Sequence, residues 1–463
     1  MNNSLQNRTF QGGEPTWANA CVGNNGSPGI IEYAEGFADA ATVLLDQVLG
    51  DHFRHSTDTF IYPICFNMRH AAELYLKAAI QSLHSLDGRS HGLPPFDLDG
   101  SHDIGRIWAH FRDQAPSIDW RYRRAVDELE SDISDIAAVD PNGQVFRYPF
   151  GRENNKHLEE VAIINCRVLR EQFSEIRRKL SELGSLSVEL KYEYSLGTYT
   201  ARLSRLDLLC IAHMLPPRVE WGSVAFDEIK AEVRRLFDIS NREFSRAVDC
   251  VQGNREMAGL IDAPIPLEHC GPEQLFAFFD AWFKLNDREE VLEWLFREPH
   301  EIREVSRETA QEMFSNLERG MRVRAEIWDS VARNLSLEAI GELDALFNFY
   351  RIPHWYGEEY ERERLALTRE LRSRREAGES YYRDSVLNFM EKFIVLPDVL
   401  NSLNFFGHNN LIELLIDRYK LSGHIERLLA DSKKRTECRS ATIQEHLRVR
   451  ANGNDGRGDR QPA

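Results

Sequence analysis

Apolar residues recur along most of the chain at intervals of three and four, the spacing of one buried face of an α-helix. Between these stripes lie clusters of Gly, Pro, Asn and Asp that are typical of turns. The pattern therefore predicts an all-α protein. The helices predicted in its first part are 31–50, 59–86, a short one from a cap at Ser101 or Asp103 to Phe111, 119–138, and one opened by Asn154 or Asn155 that runs to about Leu183.

Beyond Gly184 the pattern changes over a short stretch. Residues 188–194 alternate apolar and polar side chains, which predicts a strand, so we expect at most one or two short strands near 188–200. The rest returns to helical periodicity. The helices predicted there are 200–214, 224–237, 241–252, 273–285, 287–297, 300–333, 336–349, 357–377, 380–400 and 409–430.

These elements predict four regions in a chain of 463 residues, which is too long for one ordinary core. We expect a flexible arm over 1–28 and a helical bundle over 29–184. A larger helical domain is expected over 198–432. The polar, Gly-rich end predicts a disordered tail over 433–463.

Composition narrows the classes of function. The formal net charge of −17 argues against broad binding of duplex DNA, which depends on many Lys and Arg contacts to phosphate. The seven cysteines are scattered and form no Cys-x-x-Cys pair, so we expect neither a disulfide framework nor a zinc site. We find no signal-peptide pattern and no apolar run long enough to span a bilayer, and we expect a cytoplasmic protein without membrane contact.

Candidate chemistry concentrates in four short motifs of the first bundle. No His-Glu-x-x-His, phosphate-binding glycine loop or nucleophile elbow occurs, so we expect no metal and no cofactor. The motifs are a helix segment with Arg69, His70, Glu73 and Lys77, then His102-Asp103 after a loop, then Arg147-Tyr148-Pro149, and last Arg152 followed five residues later by His157.

In this order the motifs resemble the HEPN superfamily of helical domains, over about residues 31–182. The resemblance implies a HEPN-like bundle that forms a homodimer and acts on RNA or a nucleotide. It implies a metal-independent RNA endonuclease in a toxin or phage-defence role. Arg152 and His157 match the Arg and His of members that cleave RNA, and they would be the catalytic residues.

The two side chains suit that reaction. An imidazole titrates near pH 6.5 and can carry the protons of phosphodiester cleavage, while a guanidinium binds two phosphate oxygens at once. At the start of the predicted helix, free backbone N–H groups would add to the attraction for an anion. A second interpretation is that Arg152 and His157 only frame a capped helix. Glu153 favours it, because a carboxylate beside the Arg competes with phosphate.

A second hypothesis is that the bundle is not catalytic and serves dimerisation or nucleotide binding. The other motifs each have a structural interpretation as well. Glu73 forms helix-spaced pairs with Arg69 and Lys77, so these residues are either ion pairs inside the bundle or the wall of a pocket that Arg69 and His70 face. His102 and Asp103 either cap a helix or support the site. Arg147 anchors the turn before the last helix, and Tyr148 and Pro149 shape it.

The second half carries many aromatic residues but no motif that identifies a reaction. The clusters lie around Phe276–Phe296 and around Phe347–Tyr360. They are either core residues or a groove that binds a peptide or stacks bases. We expect a protein partner to bind this helical region, which would sense a trigger or restrain the nuclease.

Overall fold

The computed structural model describes residues 9–51, 53–86, 88, 92–151, 156–296, 323–352 and 355–455. Over these ranges the protein is helical and contains no strand, which confirms the all-α prediction. The chain divides into two compact units between Gly197 and Thr198.

The described residues of unit 1 form a bundle of five α-helices built around α2. Residues 9–29 before it are exposed and hold two short 3-10 turns. Helices α1 and α2 approach closely because their facing positions are small, as at Ala38, Ala41 and Ala71, which are fully buried. The helices are α1 (Ile30–Gly50), α2 (Thr57–His84), α3 (Ile104–Ile118), α4 (Tyr122–Val139) and α5 (Cys166–Ser195).

The position of α5 corrects two predictions. It begins at Cys166 rather than near Asn155, because the side chain of Asn165 caps it by accepting hydrogen bonds from the backbone N–H groups of Arg167 and Val168. It then continues through residues 188–194, where a strand was predicted. Leu190 and Tyr194 extend the buried stripe of the helix at a spacing of four, and an alternation of seven residues was too short to exclude that. The predicted boundary at Gly184 therefore moves to Gly197.

Unit 2 contains fourteen helices among the residues that the structure describes. They are α6 (Arg205–Met214), α7 (Val224–Phe237), α8 (Asn241–Gly253), α9 (Arg255–Leu260), α10 (Pro272–Leu285), α11 (Arg288–Leu295), α12 (described over 323–334), α13 (Leu337–Phe349), α14 (Gly357–Ala377), α15 (Glu379–Met390), α16 (Val395–Phe405), α17 (Asn409–Tyr419), α18 (Ile425–Leu428) and α19 (Ala430–Asp455).

The described residues of unit 2 form two apolar cores. One is formed by α6–α9 together with Ile443 of α19, and the other by α10–α18. In the first of the two aromatic clusters of the second half, Phe278, Phe279 and Trp282 are core residues with no exposed surface, whereas Trp294 is 51% exposed. Within the described residues, no helix is both long enough and apolar enough to cross a bilayer.

Several predicted boundaries in unit 2 were wrong. The predicted helix 380–400 is interrupted after Met390, whose carbonyl oxygen accepts a hydrogen bond from the buried Asn286 side chain at 2.8 Å. The predicted helix 409–430 ends at Tyr419, where Lys420 adopts a left-handed conformation with φ of 52°. The short helix α9 was not predicted, and the range 297–322 lies outside the described residues.

The largest correction is at the end of the chain, where α19 replaces most of the predicted disordered tail. Its inner face is mainly cationic rather than apolar, so no hydrophobic stripe marked it as a helix. At spacings of four, four, three and four, this face carries Arg435, Arg439, Ile443, His446 and Arg450. Arg439 lies 3.3 Å from a carboxylate oxygen of Glu256, and Arg435 lies against the ring of Tyr350 at 4.7 Å.

A buried histidine near the α16–α17 turn makes unit 2 sensitive to acid. His408 is 7% exposed, and its Nε2 atom has no hydrogen-bond partner among the described residues. Burial, assisted by the charge of Arg255, lowers the pKa of His408 to about 4. The folded state therefore binds this proton only at a much lower pH than the unfolded chain, whose His pKa is about 6.5.

We expect acidification to destabilise unit 2 through His408. Stability is fully present above pH 6.5 and falls by about 1.4 kcal/mol per pH unit below it, until the folded-state pKa is reached. From pH 7 to pH 5 the loss is about 2 kcal/mol. Urea unfolding followed by hydrogen exchange in α17 measures it. The His408→Asn variant should show a shallower pH dependence, and equal slopes in the two proteins would contradict the assignment.

Candidate functional site

The segment that joins α4 to α5 folds into a tight return. At the end of α4, the Oδ1 atom of Asp140 accepts hydrogen bonds from the backbone N–H groups of Gln144 at 2.9 Å and Val145 at 3.1 Å. The chain then runs out and back, so that the N–H of His157 donates to the carbonyl oxygen of Pro149 at 3.1 Å. A bridge between Phe150 and Lys156 continues this pairing. The return therefore places His157 beside the Arg147-Tyr148-Pro149 motif.

A groove of about 950 Å³ lies along this return. Its walls are the first turns of α2, residues 145–149 and residues 156–164. The polar and aromatic side chains that line it are Thr57, Asp58, Tyr62, Phe146, Arg147, Tyr148, Lys156, His157 and Glu159. Two predicted site residues, Arg147 and Tyr148, thus share the groove with the predicted catalytic His157.

Arg147 and Tyr148 stand at the surface of the groove. Both are exposed, and the Arg147 guanidinium lies 5.4 Å from the centre of the Tyr148 ring and 5.5 Å from that of Phe66. Lys156 is also exposed. A cation and an aromatic ring side by side at a surface can meet a phosphate and a base of the same ligand.

His157 is differently placed from the prediction. It lies in the return, eight residues before the cap of α5, so the N–H groups of that helix do not surround it. The imidazole is partly buried, and its Nε2 atom has no hydrogen-bond partner among the described residues. Leu158 follows with φ of 60°, a left-handed conformation that costs a non-glycine residue about 1 kcal/mol. The predicted partner Arg152, together with Glu153, lies outside the described residues.

The α2 motif forms a buried ion network behind the return. Glu73 is 3% exposed and accepts hydrogen bonds from Arg69 and from Lys77, whose ammonium lies 2.9 Å away. The Nδ1 atom of His102 lies 3.0 Å from the same carboxylate. Burial raises the pKa of the Glu73 carboxyl, but the hydrogen bonds from Lys77 and His102 and the charge of Arg69 outweigh it, so the net pKa is lowered. Glu73 is therefore a paired carboxylate.

Arg69 uses this network to hold the return in place. Its guanidinium also donates to the backbone carbonyl oxygens of His102, Asp140 and Pro141, the last at 2.8 Å. Gly143 has φ of 71°, and a Cβ atom there would lie 3.2 Å from the guanidinium. Of the two interpretations of the α2 motif, ion pairs inside the bundle is the one that agrees with these contacts. Arg69 fixes the segment that carries the groove and does not line the groove itself.

The remaining predicted residues also lie outside the groove lining. His70 packs against Phe37, with ring centres 4.4 Å apart, and against Phe66, and burial lowers the pKa of its imidazole. Asp103 caps α3 by accepting a hydrogen bond from the N–H of Arg106 at 3.1 Å. Arg69 and His70 therefore do not face the groove, contrary to what the pocket-wall interpretation required.

The charges of the groove are mixed. Arg147 and Lys156 are opposed by Asp58 and Glu159, so an anion has to be bound locally rather than by a broad positive field. Within the described part of the chain, no group of three or more His, Cys, Asp or Glu side chains is arranged to hold a metal ion. The groove therefore offers cations for a phosphate and aromatic rings for a base, and it also contains the imidazole of His157.

Sequence reasoning missed much of the groove lining. Lys156, Tyr62 and Ile163 line it, and Ile163 is 89% exposed. Lys156 directly precedes the predicted His157 in the chain, a signal that was available. Comparison with family models, with curated proteins and with solved structures gives no match for this chain.

Proposed function

We propose that unit 1 is a HEPN-like domain that binds a single RNA strand in the groove along the α4–α5 return. The observation that supports this most directly is the grouping of Arg147, Tyr148, Lys156 and His157 in one groove. A planar guanidinium binds phosphate oxygens in pairs, and an exposed Tyr ring stacks on a base of any sequence. A single strand can offer both groups to one short groove, whereas a duplex keeps its bases stacked inside.

We further propose that the bound strand is cleaved without a metal ion. His157 would take the proton of a ribose 2′-hydroxyl, and the 2′-oxygen would attack phosphorus as the bond to the 5′-oxygen breaks. The leaving 5′-oxygen gains a proton, so the products are a 2′,3′-cyclic phosphate and a 5′-hydroxyl. Arg152 would hold the phosphate oxygens. A homodimer, as in the superfamily that the motifs resemble, would supply a second imidazole as the acid.

A second candidate is RNA or nucleotide binding without cleavage. The burial of the His157 Nε2 atom favours it, because a general base has to reach the proton that it removes. The displacement of the α5 start from His157 favours it too, because the helix N–H groups cannot then stabilise the transition state there. Both candidates share the same groove, and they differ in what happens to the bound strand.

One set of variants tests binding and cleavage together. We expect Arg147→Ala to weaken binding of a fluorescent single-stranded RNA by about tenfold, the size of one charged phosphate contact. Asp58→Asn should tighten binding about threefold by removing a like charge from the groove. Incubation of labelled RNA with the protein in EDTA should give cyclic-phosphate ends, and His157→Ala should lose them while still binding RNA.

The controls are an exposed arginine on α4 and an exposed histidine on α6. Arg123→Ala and His213→Ala remove the same groups outside the groove and should change nothing. Binding that survives Arg147→Ala and Lys156→Ala together would reject the groove. Binding without product in the wild-type protein would select the non-catalytic candidate. If the protein cleaves RNA, we propose a toxin or phage-defence role for it. Expression of the wild-type protein should then arrest growth, and the His157→Ala variant should not.

A further inference from the structure

A second polar cavity lies in unit 2, between α13, α14 and α15. It has a volume of about 270 Å³. Leu367, Leu371 and Phe389 supply apolar lining, and the remaining lining residues carry charged, amide and hydroxyl groups. Because a water molecule in the liquid occupies about 30 Å³, the cavity has room for a small organic molecule.

Asp344 supplies an incompletely compensated carboxylate to this cavity. The side chain is partly buried and accepts a hydrogen bond from the Asn348 amide at 2.8 Å, and no ion pair to it occurs within the described residues. Burial raises the pKa of Asp344 to about 6, against the opposing charge of Lys392. A partly buried carboxylate that forms no ion pair is costly for the fold. A ligand that brings a cation would remove that cost.

The two cations at the cavity are not equivalent. The Arg374 guanidinium is already bound by Glu370 and by the hydroxyl of Ser385. Lys392 is exposed, and its ammonium lies 5.0 Å from the centre of the Phe347 ring without forming an ion pair in the described part of the chain. The cavity therefore presents one carboxylate and one ammonium that a ligand can still engage.

We propose that this cavity binds a free amino acid as its zwitterion. The ligand ammonium would pair with Asp344 and the ligand carboxylate with Lys392. A simple amine would meet the positive charges of Lys392 and Arg374, and a simple carboxylate would meet Asp344 and Glu370, so neither alone fits the pattern. The ligand side chain would lie against Leu367 and Phe389 and near the amide of Asn388. This site is in the other unit and does not depend on the proposed RNA groove.

The test is a binding screen on the full chain. Each of the common L-amino acids, added at millimolar concentration, is assayed for its effect on the melting temperature of unit 2. Isothermal titration then gives the affinity of any that raise it. We expect at least one amino acid to bind, and 1,4-diaminobutane and acetate to bind at least tenfold more weakly. Asp344→Asn and Lys392→Met should each weaken the amino acid at least tenfold.

A matched variant separates this site from general charge effects. Asp329→Asn removes the same charge from an exposed position on α12 and should leave the affinity unchanged. The proposal fails if no amino acid binds the wild-type protein. It also fails if Asp344→Asn binds as tightly as Asp329→Asn, or if diaminobutane binds as well as the amino acid.

Discussion

Replacing Gly259 with alanine is expected to destabilise unit 2 by about 3 kcal/mol, or about 10 °C in melting temperature. A Cβ atom at this position would lie 2.6 Å from the carbonyl oxygen of Phe406 and 2.7 Å from its carbon. These are backbone atoms, so no side-chain rotation relieves the overlap. Gly407, with φ of 78°, lies against Gly259 itself, and a Cβ atom on Gly407 would lie 2.8 Å from the Cα atom of Gly259. The two glycines therefore let α9 contact the α16–α17 turn directly.

The matched control is Gly253→Ala at the end of α8. A Cβ atom there has nothing within 4 Å, and alanine is the better helix former by up to about 1 kcal/mol. That variant should be unchanged or slightly more stable. Both are measured by calorimetry of the full chain. Equal melting temperatures for the two variants would show that α9 does not approach the turn as closely as the structure has it.

Replacing Asp207 with asparagine is expected to cost 3–5 kcal/mol, the range for removing one partner of a buried ion pair. Asp207 is 1% exposed, and its Oδ1 atom lies 2.8 Å from Nε2 of His446 and 2.7 Å from the guanidinium of Arg450. Burial raises its pKa, but these two groups of α19 outweigh that and hold the pKa well below the usual range. Asparagine removes the charge but keeps the size of the side chain and an oxygen that can accept the hydrogen bond from the backbone N–H of Ser204.

Hydrogen exchange in α19 reports this change directly. We expect faster exchange over residues 430–452 in Asp207→Asn than in the wild-type protein, because Asp207 pairs with His446 and Arg450 on the inner face of α19. Asp227→Asn, at an exposed position of α7, should leave the exchange rate unchanged. If α19 exchanges at the same rate in both variants, its attachment does not depend on Asp207.

Where helical periodicity was regular and local residues marked the ends, the sequence was sufficient to predict the bounds of a helix. The predicted helices 224–237 and 357–377 match α7 and α14 residue for residue, because each begins and ends at local turn or cap residues. The prediction failed where a long-range contact decided the structure. Asn286, which follows the end of α10, reaches the end of α15, and α19 is held by Asp207, more than two hundred residues away in the chain.

The candidate site shows the same division. Arg147, Tyr148 and His157 were identified from their motifs, and all three line the groove. Arg69, Glu73 and Lys77 were identified together as well, but a sequence cannot distinguish a pocket wall from a buried ion network. That distinction depends on which carbonyl oxygens lie near the guanidinium, and those belong to His102, Asp140 and Pro141.

The sequence by itself determined that this protein is helical, because the spacing of apolar residues and the local caps act over a few residues. Only the tertiary structure decided where α5 begins, that α19 is ordered, and that His157 lies in a return rather than at a helix start. These features depend on hydrogen bonds and ion pairs between distant segments. Such contacts leave no apolar stripe in the chain, and a charged residue that is buried by its partner looks the same in sequence as one exposed to water.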